Sequence, residues 1–153
     1  DAGRRVAMTF SDPAMVQYFR DGLATMLDGG VDLLFCNHVE AQLWTGSGSV
    51  EEAATALKQS AQSFVITRGG EGALAFDGET MHQVALTPVK AVDTNGAGDM
   101  FAGAFLHGIN RGMNFAEAGR LASMAAAKVV SFFGPRLHPM EHLEVFERFQ
   151  RGS

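Results

Sequence analysis

Cysteine, basic clusters and long apolar runs are all scarce in this sequence, and each shortage excludes a class of protein. The chain has one cysteine, Cys36, so no disulfide can form within it, which favours a reducing compartment. The formal net charge is -5 at pH 7, and partners that need clustered Lys and Arg, such as nucleic acids or acidic membranes, are not expected. No run approaches the ~18 apolar residues of a membrane helix, and no signal-peptide core is visible, so we expect a cytoplasmic location.

Apolar runs in the first half of the chain alternate with segments of helical spacing. With 46% hydrophobic and 19% charged residues, the composition is that of a globular domain. Residues 6–10, 31–36 and 64–67 predict buried strands, and the segments between them carry apolar residues three and four positions apart. This alternation predicts an α/β fold in which a mainly parallel sheet has helices on both faces.

Caps and turn residues set the expected element boundaries. Ser11 or Asp12 as the cap, followed by Pro13, predicts the start of a helix that ends at Gly29, with one apolar face formed by Met15, Phe19, Leu23, Met26 and Leu27. Residues 73–76 and 81–84 predict a small β-hairpin, and residues 151–153 a disordered tail. Further helices are expected over residues 39–44, 49–60, 98–111, 114–133 and 139–149.

The most informative segment is a glycine-rich turn, Asp93-Thr94-Asn95-Gly96-Ala97-Gly98-Asp99, which leads into an apolar helical run. At a helix N-terminus, unpaired N–H groups and the helix dipole together attract an anion. Asp99 places a carboxylate inside the same turn. An anion cradle beside a proton acceptor is what phosphoryl transfer to a hydroxyl requires, although an aspartate here can also be a simple helix cap.

Two polar segments follow predicted strands, at the edge where open parallel sheets bind ligands. Asn37 and Glu40 come after the second strand and supply the hard oxygen atoms that suit water-mediated Mg²⁺ binding. Their spacing is also that of an ordinary helix start. A loop from Thr67 to Gly72 follows the third strand, and it is also compatible with a plain turn into the hairpin.

Taken in order, the Asn-x-x-Glu pair, the Thr-x-Gly-x-x-Gly loop and the glycine-rich turn resemble the signature of the PfkB (ribokinase-like) family of carbohydrate and nucleoside kinases. The turn is most similar to that of the adenosine-kinase-like branch. The resemblance covers nearly the whole chain but only about the C-terminal half of such a kinase. It implies a ribokinase-like three-layer fold, with residues 1–150 as the nucleotide-binding half of a kinase domain.

The resemblance also implies roles for individual residues. Asp99 is the expected general base, and the expected anion hole for the transferred phosphate is formed by the N–H groups of Gly96, Ala97, Gly98 and Asp99. Mg²⁺ is assigned, through water, to Asn37 and Glu40. ATP is assigned to the loop after the third strand, at Thr67, Arg68, Gly69, Gly70 and Gly72.

Two further positions are assigned by the same resemblance. Ser123 occupies the place of a polar residue that contacts adenine, where many members of the family have Asn or His. Asp93 matches an aspartate that binds a monovalent cation, such as K⁺, in several members. Main-chain oxygens complete that cation site, and they correspond here to Asn95, Val129, Phe132 and Gly134.

The function that the resemblance implies is ATP-dependent phosphorylation of the hydroxymethyl group of a sugar or nucleoside. The alternative is a nucleotide-binding module that is inactive on its own, because the acceptor-binding half is missing. The identity of the acceptor stays open, and so does the question whether the protein forms a homodimer.

Other nucleotide and metal motifs fit the sequence poorly. It contains no Gly-Lys-Ser or Gly-Lys-Thr triplet, which excludes a P-loop. In a dinucleotide-binding fingerprint, Phe101 would stand in place of the third glycine. His138-Pro139-Met140-Glu141-His142 matches a zinc-protease pattern, but Pro139 is expected to open a helix and leave His138 outside it.

Overall fold

The computed structural model describes residues 4–152. Within them, the chain forms five β-strands and seven α-helices, and it divides into two compact units. The first unit contains the residues up to Gly69 together with Leu74–His82, and the second contains Gly70–Ala73 and the chain from Gln83 onward. No helix in this described part is both long enough and apolar enough to cross a membrane.

Five strands form one sheet, in the order β1 (Ala7–Thr9), β2 (Leu33–Asn37), β3 (Ser63–Thr67), β4 (Ala73–Phe76) and β5 (Met81–Val84). β1 and β3 both pair in parallel with β2. The predicted strands and the hairpin segments are therefore confirmed in position, but the prediction that the first strand is buried is wrong. Of Ala7–Thr9 only Met8 is buried, because β1 stands at the end of the strand order and, of the described strands, pairs only with β2. Asn37 is the register partner of Thr67, so the last residues of β2 and β3 lie side by side.

The central strands are buried along almost their whole length. β2 and β3 each bury four consecutive residues, including Leu34, Phe64 and Ile66, which are fully buried. Strands covered on both faces have continuous apolar sequences, which is the pattern that identified them. Cys36 lies in this core, and burial raises the pKa of its thiol, so it stays in the unreactive protonated form.

Four helices belong to the first unit: α1 (Pro13–Tyr18), α2 (Arg20–Asp28), α3 (His38–Thr45) and α4 (Val50–Leu57). Asp12 caps α1 as predicted, because its carboxylate accepts a hydrogen bond from the Ala14 N–H at 2.6 Å. Ser49 caps α4, since its hydroxyl accepts from the Glu52 N–H at 3.2 Å. α4 ends at Leu57, before the expected end at residue 60.

The prediction of one continuous helix from Pro13 to Gly29 is wrong. Phe19, with φ -123° and ψ 28°, leaves the helical conformation, so α1 and α2 are separate helices that present different faces. Of the predicted apolar face only Leu23 and Leu27 are buried, and Val16 is buried in addition. The remaining members of that face are exposed, namely Met15, Phe19 and Met26.

Three helices belong to the second unit: α5 (Ala97–Asn110), α6 (Phe115–Val130) and α7 (Pro139–Gln150). Asn114 and Glu117 form the predicted capping box of α6, exchanging hydrogen bonds of 2.9 and 3.0 Å. The expected extension of α6 to residue 133 is wrong. The chain turns after Val130, where the Ser131 hydroxyl donates to the Lys128 carbonyl at 2.7 Å.

The structure describes two of the three residues that were predicted to form a disordered tail. Arg151 and Gly152 continue α7 as a turn, and their N–H groups donate to the carbonyls of Glu147 and Phe149, each at 3.1 Å. For these two residues the prediction of disorder is therefore wrong, because the last carbonyls of the helix accept bonds from them. Ser153 lies outside the described residues.

Candidate active site

The glycine-rich turn forms the N-terminus of α5. Gly96 is the N-cap residue, with φ 77° and ψ 0°, a left-handed conformation that residues with a side chain rarely adopt. It also lies against Pro135. A Cβ at Gly96 would stand 2.5 Å from the carbonyl oxygen and 2.8 Å from the Cα of Pro135. Conformation and packing therefore both require glycine at this position.

Two backbone N–H groups in the first turn of α5 have no hydrogen-bond acceptor within residues 4–152. Of the four N–H groups predicted to form the anion hole, that of Ala97 already has a partner, because it donates to the Thr94 carbonyl at 3.3 Å. The part of Gly96 in the anion hole stays a prediction. Gly98 and Asp99 are exposed, and no oxygen within residues 4–152 accepts a hydrogen bond from their N–H groups. Because these donors lie at the positive end of the helix dipole, they are available to an anion.

Asp99 is exposed on this first turn. Gly96 and not Asp99 is the N-cap residue of α5, and no N–H group within residues 4–152 donates to the Asp99 carboxylate, so Asp99 is not a hydrogen-bonding cap of this helix. Asp99 borders a groove of about 800 Å³, whose walls include Gly103 of α5 and His142 and Leu143 of α7. Its surroundings therefore leave space for a second molecule to approach.

Asp93 joins the turn to the segment that follows α6. One oxygen of its carboxylate accepts from the Asn95 N–H at 3.0 Å, and the other accepts from the Gly134 N–H at 3.1 Å. These bonds stabilise the charged form and lower the pKa of Asp93 below its ordinary 3.8. The structure thus brings together three of the residues assigned to a monovalent cation, while the cation itself stays a prediction.

We expect Asp93→Asn to be less stable than the wild type at pH 7, because an amide supplies one acceptor oxygen where the carboxylate supplies two. Because the pKa of Asp93 is lower in the folded than in the unfolded protein, its carboxylate stabilises the fold at pH values above 3.8, the ordinary pKa. This stabilisation is lost as the pH falls through the pKa of the folded protein. The gap between the two urea midpoints should therefore be widest near neutral pH and narrow below about pH 4. A gap that is the same at pH 7 and pH 3 would contradict this role.

Asn37 and Glu40 lie at the start of α3 and form a complete capping box. The Asn37 side chain accepts from the Glu40 N–H at 2.9 Å, and the Glu40 carboxylate accepts from the Asn37 N–H at 2.9 Å. The Asn37 amide also donates to the second carboxylate oxygen at 2.8 Å. The helix-start interpretation is therefore realised, and the Mg²⁺ role stays a prediction.

The surroundings of Glu40 are unusual for a carboxylate. The residue is only 3% exposed. Burial raises the pKa of Glu40, the hydrogen bond from the Asn37 N–H lowers it, and the nearby negative charge of Asp12 raises it further. A buried carboxylate close to a second carboxylate is a place where a cation would offset the cost of burying charge.

The loop after β3 contains the residues assigned to ATP. Thr67 ends β3, and Gly69–Glu71 forms one 3-10 turn. Gly69 and Gly72 have φ of 57° and 81°. A Cβ at Gly72 would stand 2.1 Å from the Val84 carbonyl oxygen, so a close backbone approach already requires glycine there. The contacts of Thr67, Arg68, Gly69, Gly70 and Gly72 with ATP stay predictions.

Ser123 lies in the interior of α6 and is only 6% exposed. Its hydroxyl hydrogen bonds to Ala85 and Thr87 within the second unit. The predicted contact of Ser123 with adenine stays a prediction, and these bonds show that the side chain already has partners in the protein.

The start of α7 does not support the zinc-protease pattern, because it separates the two histidines of that pattern. Pro139 is the first residue of that helix, and His138 precedes it, as predicted. The His138 N–H donates to the Glu141 carboxylate at 2.7 Å, which makes Glu141 part of the helix cap.

The structure therefore groups the predicted residues into two sets, each within its own unit. Asn37, Glu40 and Thr67 meet at the ends of β2 and β3. The second set is the turn from Asp93 to Asp99, which rests on Gly134 and Pro135. Pro135 is a contact that the sequence reasoning missed, because nothing in the sequence ties it to a glycine 39 positions earlier.

Sequence comparison relates the chain to known kinases. The sequence profile described as pfkB family carbohydrate kinase matches residues 1–142. Over 136 residues, the chain is 37% identical to the cytidine kinase of Thermococcus kodakarensis, a match that covers 86% of the chain and 49% of that enzyme.

Two solved structures are similar to this one. Adenosine kinase from Sinorhizobium meliloti matches with a TM-score of 0.89 and 29% identity, over 95% of the chain and 45% of that structure. A putative Ribokinase II from E. coli in complex with ATP and Mg²⁺ matches with a TM-score of 0.81 and 26% identity, over 99% of the chain and 50% of that structure. These similarities confirm the predicted ribokinase-like α/β fold. The chain spans about half the length of these relatives.

Proposed function

The chain belongs to the pfkB family of carbohydrate kinases, and from this premise we propose that it carries the ATP site and catalytic base of a kinase. The proposed reaction is phosphorylation of the hydroxymethyl group of a sugar or nucleoside. In this proposal residues 1–150 form the nucleotide-binding half of the kinase domain, and the reaction uses ATP and Mg²⁺.

The observation that carries the proposal is the first turn of α5. It presents two open N–H groups, of Gly98 and Asp99, beside an exposed carboxylate that caps nothing. Donors aimed at developing negative charge, with a proton acceptor next to them, are the two elements that phosphoryl transfer needs from a protein. The remaining contribution is to hold the reactants in line.

In the proposed reaction, the hydroxymethyl oxygen attacks the γ-phosphorus of ATP, the bond from phosphorus to the β–γ bridging oxygen breaks, and ADP leaves. Asp99 accepts the proton that the hydroxyl loses. The N–H groups of Gly98 and Asp99 donate to the oxygens of the transferred phosphoryl group. Because the N–H groups belong to a turn fixed by Gly96 and Pro135, they need no rearrangement when charge develops.

The residues at the ends of β2 and β3 fit the charges that ATP brings. Asn37 and Glu40 offer hard oxygen atoms to Mg²⁺ through water, and the raised pKa of Glu40 reflects a buried charge that a nearby cation would stabilise. Mg²⁺, when bound, neutralises part of the phosphate charge. The loop from Thr67 to Gly72 is the proposed ATP contact. The Asp93 carboxylate, held against Asn95 and Gly134, is the proposed ligand of a monovalent cation.

A second candidate function is a nucleotide-binding module without turnover. The observation in its favour is length, since the chain spans 49% of the cytidine kinase and 45% of the adenosine kinase. A module of this kind binds ATP at the same residues, but it needs the rest of a kinase to bring an acceptor to Asp99.

Acceptor-dependent ADP release separates the two candidates. We expect the full-length polypeptide to turn over with at least one member of a panel of sugars and nucleosides that carry a free hydroxymethyl group. Residues 1–153 alone should bind ATP with Mg²⁺ but show no acceptor-dependent release. If neither the full-length polypeptide nor residues 1–153 turns over, and both still bind ATP, the protein is a nucleotide-binding module. Zero turnover without ATP binding would contradict both candidates.

A further inference from the structure

A line of contacts ties the segment before the glycine-rich turn to one face of α6. We call residues 84–93 the lead-in segment. At its start, Val84 packs so closely on α6 that a Cβ at Gly119 would stand 2.4 Å from Val84 Cγ2. Near its end, the Val130 carbonyl accepts a hydrogen bond from the Val92 N–H at 2.8 Å. The lead-in segment therefore runs along α6 from Gly119 to Val130.

Ser123 makes the contact between these two points. Its hydroxyl donates to the Ala85 carbonyl at 2.9 Å and accepts from the Thr87 N–H at 2.8 Å. The Thr87 Oγ1 lies 3.1 Å away and is a third partner. A serine hydroxyl has one donor and two acceptor positions, so these contacts occupy all of them.

This pattern is unusual for a serine inside a helix. Such a hydroxyl commonly bonds back to a carbonyl of its own helix. Ser123 instead bonds to residues 85–87 of the lead-in segment. Because β5 ends at Val84, the backbone groups of these residues form no hydrogen bonds within a strand ladder and require other partners. Without the hydroxyl, the Ala85 carbonyl and the Thr87 N–H, both at partly buried contacts, would lose this partner.

We propose that Ser123 is a positioning residue for phosphoryl transfer, which it serves by fixing the lead-in segment on α6. The inference rests on the proposed function. The lead-in segment delivers Asp93, whose carboxylate bonds to Gly134, and the chain then reaches Gly96 on Pro135. When Ser123 no longer holds residues 85–87, the lead-in segment can move on α6 and displace Asp93 and Gly96 from these contacts. The N–H groups of the turn then shift away from the position that the phosphoryl group requires.

The test compares Ser123→Ala with two other hydroxyl deletions in the full-length polypeptide. Alanine removes only the hydroxyl and favours a helix, so the fold is retained, and thermal unfolding verifies this. Thr87→Ala removes one of the three partners but leaves both backbone bonds of Ser123. Thr55→Ala is the matched control, because within residues 4–152 its exposed hydroxyl bonds only to the Glu51 carbonyl of its own helix, at 3.0 Å.

Hydrogen–deuterium exchange without nucleotide is the first readout, and it does not depend on activity. Ser123→Ala should speed exchange at residues 85–87 and, as the deciding result, at the hydrogen-bonded N–H groups of Asn95, Ala97 and Met100 in the turn. Thr87→Ala should cause a smaller change, and Thr55→Ala none in these segments. Faster exchange confined to residues 85–87 would overturn the inference, since the turn would then be held without Ser123.

Kinetics supply the second readout. The loss of these hydrogen bonds in Ser123→Ala should lower kcat about tenfold and leave the KM for ATP within about threefold. A raised KM for ATP with unchanged kcat and unchanged exchange would instead identify a direct nucleotide contact and overturn the positioning role. If the wild type shows no turnover, the proposed function fails, and exchange at the bonded N–H groups of Asn95, Ala97 and Met100 alone decides whether Ser123 fixes the turn.

Discussion

If the proposed function holds, replacement of Asp99 by asparagine should lower the turnover of the full-length polypeptide by about 10³-fold, while the affinity for ATP stays within about threefold. Asparagine keeps the size of the side chain and the N–H group of residue 99, but it cannot accept the proton of the acceptor hydroxyl. The loss should therefore fall on the chemical step. Acceptor-dependent ADP release measures kcat, and calorimetric titration with ATP and Mg²⁺ measures the affinity.

Asp21→Asn is the matched control, because Asp21 is also an exposed aspartate in the first turn of a helix. It removes the same charge from the surface and should leave kcat unchanged. Intact turnover in Asp99→Asn would remove Asp99 from the mechanism. A loss of ATP affinity as large as the loss of turnover would make Asp99 a binding residue and not a base.

Gly96→Ala should combine a loss of at least about 100-fold in kcat with a destabilisation of about 2 kcal/mol or more. The left-handed conformation of Gly96, with φ 77°, penalises any side chain. The added Cβ would also overlap Pro135, which stands 2.5 Å away at its carbonyl oxygen. The turn must shift to relieve this overlap, and the open N–H groups of Gly98 and Asp99 shift with it. Urea unfolding and ADP release measure the two effects.

Gly112→Ala is the control that measures the cost of placing a side chain at a left-handed position without displacing a neighbouring residue. Gly112 has φ 83°, but nothing lies within 4 Å of the position of its Cβ. This variant should lose about 1 kcal/mol of stability and keep its kcat within about twofold. If Gly96→Ala behaves in the same way as Gly112→Ala, the contact with Pro135 does not position the anion hole, and the account of the turn is wrong.

The central strands could be predicted from sequence because β2 and β3 each bury four consecutive residues. A continuous apolar run of that length has few other structural interpretations once glycine and polar residues bound it. The capping box of Asn114 and Glu117 could also be predicted, since both of its hydrogen bonds are local in sequence. Local signals of this kind do not depend on the rest of the fold.

The helix from Pro13 to Gly29 shows where such signals fail. Apolar spacing predicted a single face, but Phe19 leaves the helical conformation and divides the segment. The Arg20 guanidinium then reaches the carbonyls of Leu43 and Trp44 and stacks 4.6 Å from the Trp44 ring. These partners lie more than 20 residues away, so a periodicity read from the segment itself could not reveal them.

The candidate site shows a similar division. Motif order pointed to Asp99, Asn37 and Thr67, but the supporting contacts come from residues distant in sequence. Pro135 fixes the left-handed Gly96, and Ser123 holds residues 85–87. Neither contact has a sequence signal, because each depends on how α6 and its following loop pack against the lead-in segment.

The structure also gives motif residues a physical task apart from any ligand. Gly72 is required by the Val84 carbonyl, and Asn37 and Glu40 cap α3. Their presence alone therefore does not demonstrate ATP or Mg²⁺ binding. The N–H groups of Gly98 and Asp99 have no acceptor within residues 4–152, and the Asp99 carboxylate accepts no capping hydrogen bond there. For that reason the proposed function depends on them.

The most direct test of this account is a crystal structure of the full-length kinase with ADP, an acceptor and aluminium fluoride, which mimics the phosphoryl group in transfer. The account predicts fluorides within hydrogen-bonding distance of the Gly98 and Asp99 N–H groups, and the acceptor hydroxymethyl oxygen beside the Asp99 carboxylate. A fluoride group bound elsewhere, with these N–H groups facing solvent and Asp99 remote from the acceptor, would contradict it.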